Sequence, residues 1–218
     1  MTKRERIEKF YEELYKKFGP QRWWPAETAL ECILGAVLTQ NTSWKNVERA
    51  LENLKRENLV SVESLNLITA EELAALIRPS GYYNQKALKI KNFVSFLVRE
   101  FSGSLDRMFA LDKSLLREKL LGIRGIGPET ADSVMLYAGA IPVFVVDAYT
   151  WRILSRHGLV PVETSYDEIQ ELFTESLKED AGMFNEYHAL LVKVGKEHCK
   201  KRGPVCGGCP LEYDPHSV

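Results

Sequence analysis

The sequence predicts an all-α protein, and three observations carry that prediction. Apolar residues recur at helical spacing almost everywhere, no run alternates apolar and polar residues as strands do, and no repeat or low-complexity linker separates the segments. Composition agrees: 218 residues, 45% hydrophobic and 27% charged, describe a globular chain whose length suits one large domain or two lobes sharing a cleft.

The opening helix is written in Ile7, Phe10, Tyr11, Leu14, Tyr15 and Phe18, after a charged start with no apolar signal core. Helical segments follow at about 27–38, 44–55 and 84–101, the last long and amphipathic. Others at about 115–121, 129–137, 149–155, 166–177 and 184–198 complete a reading of about ten helices. Pro142-Val143-Phe144-Val145-Val146 is the exception; it is short, lacks a partner strand, and reads as an extended crossover. Beyond residue 200 the chain is rich in Gly, Pro and Cys, cannot be a regular helix, and needs something else to hold it. No stretch approaches the roughly 18 uncharged apolar residues of a membrane span, so the reading places the protein in the cytoplasm.

Net charge is -1, so the total does not advertise a polyanion partner, and a nucleic-acid site must come from local clustering. Two basic clusters qualify: Arg78, Lys86, Lys89, Lys91 and Arg99, and then Lys193, Lys196, Lys200, Lys201 and Arg202, each also readable as a solvated helix face. Of four cysteines, Cys32 sits in an apolar helical stretch and reads as core. Cys199, Cys206 and Cys209 are crowded as metal ligands are, rather than spaced as a disulfide framework.

The most informative stretch is Leu121-Gly122-Ile123-Arg124-Gly125-Ile126-Gly127-Pro128-Glu129-Thr130. Gly125 and Gly127 permit positive φ and close backbone approach, and Pro128 suits a first helical turn, where a missing N–H costs nothing. The free amides and the positive end of the following helix would then face outward, where they favour a phosphate without any basic side chain. Some twenty residues later, Val145-Val146-Asp147-Ala148-Tyr149 places an acid where an apolar run meets a helix. By itself Asp147 is an ordinary N-cap contributing about 1 kcal/mol.

Hairpin and acid together resemble the helix-hairpin-helix DNA glycosylase superfamily, named for a Gly/Pro-rich hairpin followed by an Asp, over about residues 23–209. The resemblance implies two helical lobes with a DNA-binding cleft between them. One lobe would span 21–139 and end in the hairpin at about 112–137. The second would take 1–20 plus 140–198 and carry the catalytic Asp147, leaving 199–218 as a Cys-rich loop and tail. It implies double-stranded DNA with damaged bases as partner, a monomer, and a monovalent cation on the hairpin carbonyls. Asp147 would stabilise the oxocarbenium-like sugar and orient the attacking water. Members that also cut the backbone carry a lysine two residues after the second hairpin glycine. Here that position is Glu129, which cannot form an imine, so the expectation is a monofunctional enzyme without AP lyase activity.

The segment around Leu38-Thr39-Gln40-Asn41-Thr42 resembles the one in which a Gln fills the gap left by the extruded base, and the Gly81-Tyr82-Tyr83 turn resembles the second DNA-contact loop. Gln40 and Tyr82 are the expected plug and wedge. Trp23, Trp24 and Pro25, with Trp44, form a concentration of indole suited to stacking a cationic alkylated purine. This arrangement is similar to the 3-methyladenine DNA glycosylase III branch, related to endonuclease III. The branch that removes mispaired adenine has Glu where this chain has Ala36 and an additional C-terminal domain that is absent here.

Cys199-x6-Cys206-x2-Cys209 resembles the iron–sulfur loop of endonuclease III, whose spacing continues x5-Cys and implies a [4Fe–4S]-type cluster. The fourth position is Pro215, which cannot ligate iron. Either Asp214 or His216 supplies a non-cysteine ligand, or the loop is a relic. Lys200 and Lys201 would be presented to phosphate. The leading reading is a glycosylase for alkylated purines, against an endonuclease III-like glycosylase for oxidised or mismatched bases and against a non-catalytic helix-hairpin-helix DNA-binding module.

Overall fold

The computed structural model describes residues 1–21, 23–24 and 26–217. Among these there is no strand, and no helix is long and apolar enough to cross a membrane. The chain divides into two compact units, Met1–Trp23 with Ala140–Val218, and Trp24–Gly139.

In the first unit, α1 (Lys3–Phe18) packs on α11 (Tyr166–Ser176) and α12 (Ala181–Glu197), and α12 also packs on α10 (Ala148–Arg156). Capping boxes start α1 and α11: Thr2 and Glu5, then Ser165 and Glu168, each satisfy the other's backbone amide. Ile7, Phe10 and Leu14 recur on one face of α1 and are fully buried. The apolar run from Val143 to Val146 enters with no regular secondary structure; its Phe144 ring stacks on Phe173 at 3.7 Å and meets Phe184 edge-on. Tyr187 is fully buried and donates its hydroxyl to the Ile7 carbonyl at 2.8 Å, which removes the cost of burying that polar atom.

The second unit is built around α2 (Ala29–Leu38), buried from Leu30 to Leu38. It packs against α3 (Trp44–Arg56), α6 (Tyr83–Phe101), α9 (Pro128–Ser133) and a π-helical turn at Val134–Ala138. Its one buried acid, Glu31, is met by Lys55 of α3 at 2.7 Å. The remaining helices are α4 (Val62–Leu67), α5 (Ala70–Leu76), a 3₁₀ turn at Arg78–Ser80, α7 (Leu105–Phe109) and α8 (Lys113–Leu121). Three of these, α4, α5 and α7, lie in stretches to which the sequence reading assigns no helix. They are five to seven residues long, too short to display a period, yet Ser61, Thr69 and Ser104 cap them.

The basic cluster between residues 78 and 99 is not a free cationic face. Lys91 donates to the carbonyls of Leu65, Asn66 and Ile68 at the end of α4, Lys86 to those of Leu38 and Ser80, and Arg99 pairs with Glu100. Two of the five cations, Lys86 and Lys91, are consumed on helix-terminal carbonyls.

Candidate active site and DNA-contact segments

The hairpin between α8 and α9 is closed by Ile126 N–H donating to the Ile123 carbonyl at 3.0 Å, with both isoleucines buried beneath it. Gly125 has φ +95, where a side chain is strained, and the Lys89 stem lies where its Cβ would stand, 2.7 Å from Lys89 Cγ. Gly127 differs from expectation: its φ is -98, an extended N-cap conformation open to any residue, and a Cβ there would meet nothing within 4 Å. Its contribution is open space at the start of α9 rather than a left-handed turn. Asn92 of α6 donates to the Arg124 carbonyl, and Arg117 of α8 grips the fully buried Asp132 of α9 through two bonds at 2.8 and 3.2 Å. That pair fixes the two hairpin helices to each other.

Residue 129 lies in the first turn of α9, where a carboxylate interacts favourably with the helix dipole. Neighbouring Thr130 accepts a short hydrogen bond from the Gln40 side-chain amide, whose oxygen accepts from Lys89 Nζ at 2.6 Å. Gln40, the expected plug, is therefore engaged by Thr130 and Lys89. Lys86 is buried where the Gln40 segment and the Tyr82 turn begin; burial, together with the charge of Lys89, pushes its ammonium down to about 8. Tyr82 is 66% exposed and sits at φ 46, a left-handed conformation costly for a non-glycine residue.

The two adjacent tryptophans belong to different units. Trp24, at φ 69, stacks on Tyr137 with ring centroids 4.6 Å apart and meets Trp44 edge-on at 5.4 Å. Both indoles lie over Gly35 of α2, where a Cβ would make ordinary van der Waals contact with them at 3.4 to 3.5 Å. Tyr137 was not foreseen; the π turn that carries it is the local signal, since such turns recur at functional sites. Trp23 instead lies 6.4 Å from His188 with Lys196 over its ring. Pro25, the fourth expected pocket residue, lies outside the described residues.

Asp147 caps α10. Its Oδ1 accepts from the amides of Tyr149 and Thr150 at 3.0 and 2.8 Å and from the Thr150 hydroxyl at 3.0 Å. One carboxylate oxygen is thus held by three donors, which fixes the side chain's direction. The other, Oδ2, stands 3.7 Å from His188 Nε2, and the side chain keeps 13% of its exposure. His188, on α12, was also not singled out in the sequence. Burial pushes its pKa down, against the opposing pull of Asp147. Gly195 sets the approach of α12 to α10: a Cβ there would stand 2.4 Å from the Tyr149 ring.

The tail is held by the protein itself. Asp214 is buried and its carboxylate is taken by Arg6, at 2.8 and 2.5 Å, and by His157 Nδ1 at 2.8 Å. Burial raises its pKa, but the bonds to Arg6 and His157 outweigh that and hold it below the usual carboxylate range. Asp214 is therefore an anchor and not a spare ligand. Leu211 is buried, and Ser217 N–H donates to the Arg156 carbonyl. Lys200, Lys201 and Arg202 are exposed.

Cys199, Cys206 and Cys209 are free, half-buried, and line one open pocket together with His157, His198 and His216. Burial pushes the Cys209 thiol up, and the other two cysteines add to this. Among the described residues no three His, Cys, Asp or Glu side chains already converge as ligands of a metal ion. The donor set of three thiols with the imidazoles of His198 and His216 fits a thiolate-held cluster in its chemistry, while His157, on the same wall, has its Nδ1 on Asp214. The carboxylate that sequence spacing offered does not belong to it.

Known proteins resemble this chain throughout its length. Residues 34–179 match the HhH-GPD superfamily base excision DNA repair protein family. A Methanocaldococcus jannaschii protein provisionally named a DNA repair glycosylase is 47% identical over 97% of this chain and 96% of its own. Endonuclease III of Sulfolobus acidocaldarius is 32% identical over 82% and 78%. Among solved structures, H. pylori 3-methyladenine DNA glycosylase bound to 1,N6-ethenoadenine superposes with a TM-score of 0.77 at 30% identity, over 90% of this chain and 98% of that one. A non-covalent endonuclease III–DNA complex superposes at 0.84 with 24% identity, over 99% and 96%, which speaks to the fold alone. With the glycine hairpin, the capped Asp147 and these matches in hand, the chain belongs to the HhH-GPD superfamily of base excision DNA repair proteins, as an endonuclease III-like DNA glycosylase.

Proposed function

We propose that this glycosylase is monofunctional and hydrolyses the N-glycosidic bond of alkylated purines such as 3-methyladenine in double-stranded DNA, acting as a monomer. The observation that carries the reading is a pair of residue types: a carboxylate at 147 fixed by three donors, and a carboxylate rather than an amine at 129. The C1′–N bond breaks with its electron pair leaving on the base, and the Asp147 carboxylate stabilises the cationic sugar. Water then adds to C1′ and gives up a proton, leaving an abasic site. An alkylated purine is cationic before cleavage and departs neutral, so little acid catalysis is required of the protein. The aromatic group of Trp24, Tyr137 and Trp44 supports a cationic substrate through stacking and cation–π attraction, as does the likeness to the H. pylori enzyme.

The endonuclease III relatives favour a second reading, in which oxidised or mispaired bases are the substrates. A panel of duplexes carrying 3-methyladenine, thymine glycol or mismatches separates the two. Free 3-methyladenine released without strand scission, and no borohydride-trapped protein–DNA adduct, is the expected result. Release of thymine glycol alone, or a trapped adduct, would overturn the proposal.

A further inference from the structure

We propose that His216 is the fourth ligand of a [4Fe–4S] cluster held by Cys199, Cys206 and Cys209, bound through its Nε2. The three thiols and His216 share the wall of one open pocket, whose lining also includes His157, His198, Pro204, Val205 and Leu211. Leu211 is buried and shields one side of the pocket, while Val205 is 48% exposed and leaves the other side to solvent. Of the two non-cysteine candidates near the position a fourth cysteine would occupy, Asp214 is excluded, because Arg6 and His157 take its carboxylate in a buried network. His216 is arranged differently. Its Nδ1 lies 2.8 Å from the Asp214 carbonyl, an acceptor only, so Nδ1 carries the proton and donates. Nε2 is left with its lone pair, the second-shell arrangement by which proteins orient metal-bound imidazoles. Arg156 Nη1 donates to Cys199 Sγ at 3.2 Å, a charged hydrogen bond that favours thiolate and screens the negative charge of a cluster.

On assembly of the [4Fe–4S]2+ core from two ferrous ions, two ferric ions and four sulfides, with no net change of oxidation state, each of the three thiols releases its proton to solvent and forms one Fe–S bond. The fourth iron takes the Nε2 lone pair of His216, which keeps its Nδ1 proton. The tail is already anchored by Asp214, Leu211 and Ser217, so the cluster is not required to fold it. The inference is independent of which base the enzyme removes.

The test uses the full chain, purified anaerobically and reconstituted with equal ferrous and ferric iron and sulfide. About four irons and four sulfides per chain are expected, and after reduction with dithionite, pulsed EPR on protein with isotopically labelled histidine should show coupling to a ligating nitrogen. His216→Ala is expected to melt like the parent, to hold about three irons, and to lose that coupling. His216→Cys is expected to restore four irons without it and to lower the reduction potential. Zinc bound in place of iron, a chain that takes up no cluster, or nitrogen coupling that persists in His216→Ala would overturn the assignment.

Discussion

At the scale of single side chains, the neighbours of Asp147 fix how its carboxylate is presented. Its Oδ1 is committed to capping α10, while Oδ2 faces a buried imidazole at 3.7 Å. Because burial lowers the pKa of His188, the unfolded chain binds its proton at a higher pH than the folded one. This contribution to stability is present above the unfolded value of about 6.5 and is lost as pH falls toward the folded pKa. His188→Gln should flatten the acid-side decline in urea-unfolding stability below pH 6.5; an unchanged profile would show that His188 titrates as it does in the unfolded chain. Tyr82 makes a different prediction. Its left-handed backbone costs about 1–2 kcal/mol that glycine would not incur, so Tyr82→Gly should leave stability unchanged or slightly raised. Base release from duplex should nevertheless fall severalfold, with little change on single-stranded substrate, where flipping costs least. Equal loss on both substrates would contradict a wedge.

At the scale of elements, the hairpin depends on a buried charge pair as much as on glycine. Breaking a largely buried pair from one side costs about 3 kcal/mol or more, whereas replacing both partners with apolar residues is often neutral. Asp132→Leu alone should therefore destabilise the protein strongly, and adding Arg117→Met should recover most of the loss, as chemical denaturation would read. The hairpin was legible in sequence because glycine and proline constrain backbone locally; what was not legible was that only Gly125 uses positive φ while Gly127 provides space. The long helices were legible from their period, and α4, α5 and α7 were not, being shorter than two helical turns. Tyr137 and His188 escaped notice because each owes its place to tertiary packing, on Trp24 and beside Asp147 respectively. Asp214 was noticed for its spacing from the cysteines, yet its partner Arg6 lies at the other end of the chain.

For the whole molecule, charge is the property that composition alone misjudges. Net charge is -1, and Lys86 and Lys91 of the basic cluster between residues 78 and 99 are spent on carbonyls within the protein, whereas Lys200, Lys201 and Arg202 form a run of three exposed cations. Each phosphate neutralised contributes roughly -0.9 to the slope of log K against log salt. Replacing those three residues by Gln should reduce the slope for duplex binding by about 2–3 and weaken binding across sequences alike; an unaltered slope would move the phosphate contacts elsewhere.

The central claim is that Asp147 performs the chemistry while main-chain groups and other residues hold the DNA. Single-turnover release of 3-methyladenine from duplex DNA by Asp147→Asn tests it most directly, with affinity for an uncleavable abasic-site analogue measured on the same protein. Asn is nearly isosteric and still accepts the capping bonds. Release is predicted to fall by at least about a thousandfold, with affinity within severalfold of the parent; release at the parent rate would contradict the account.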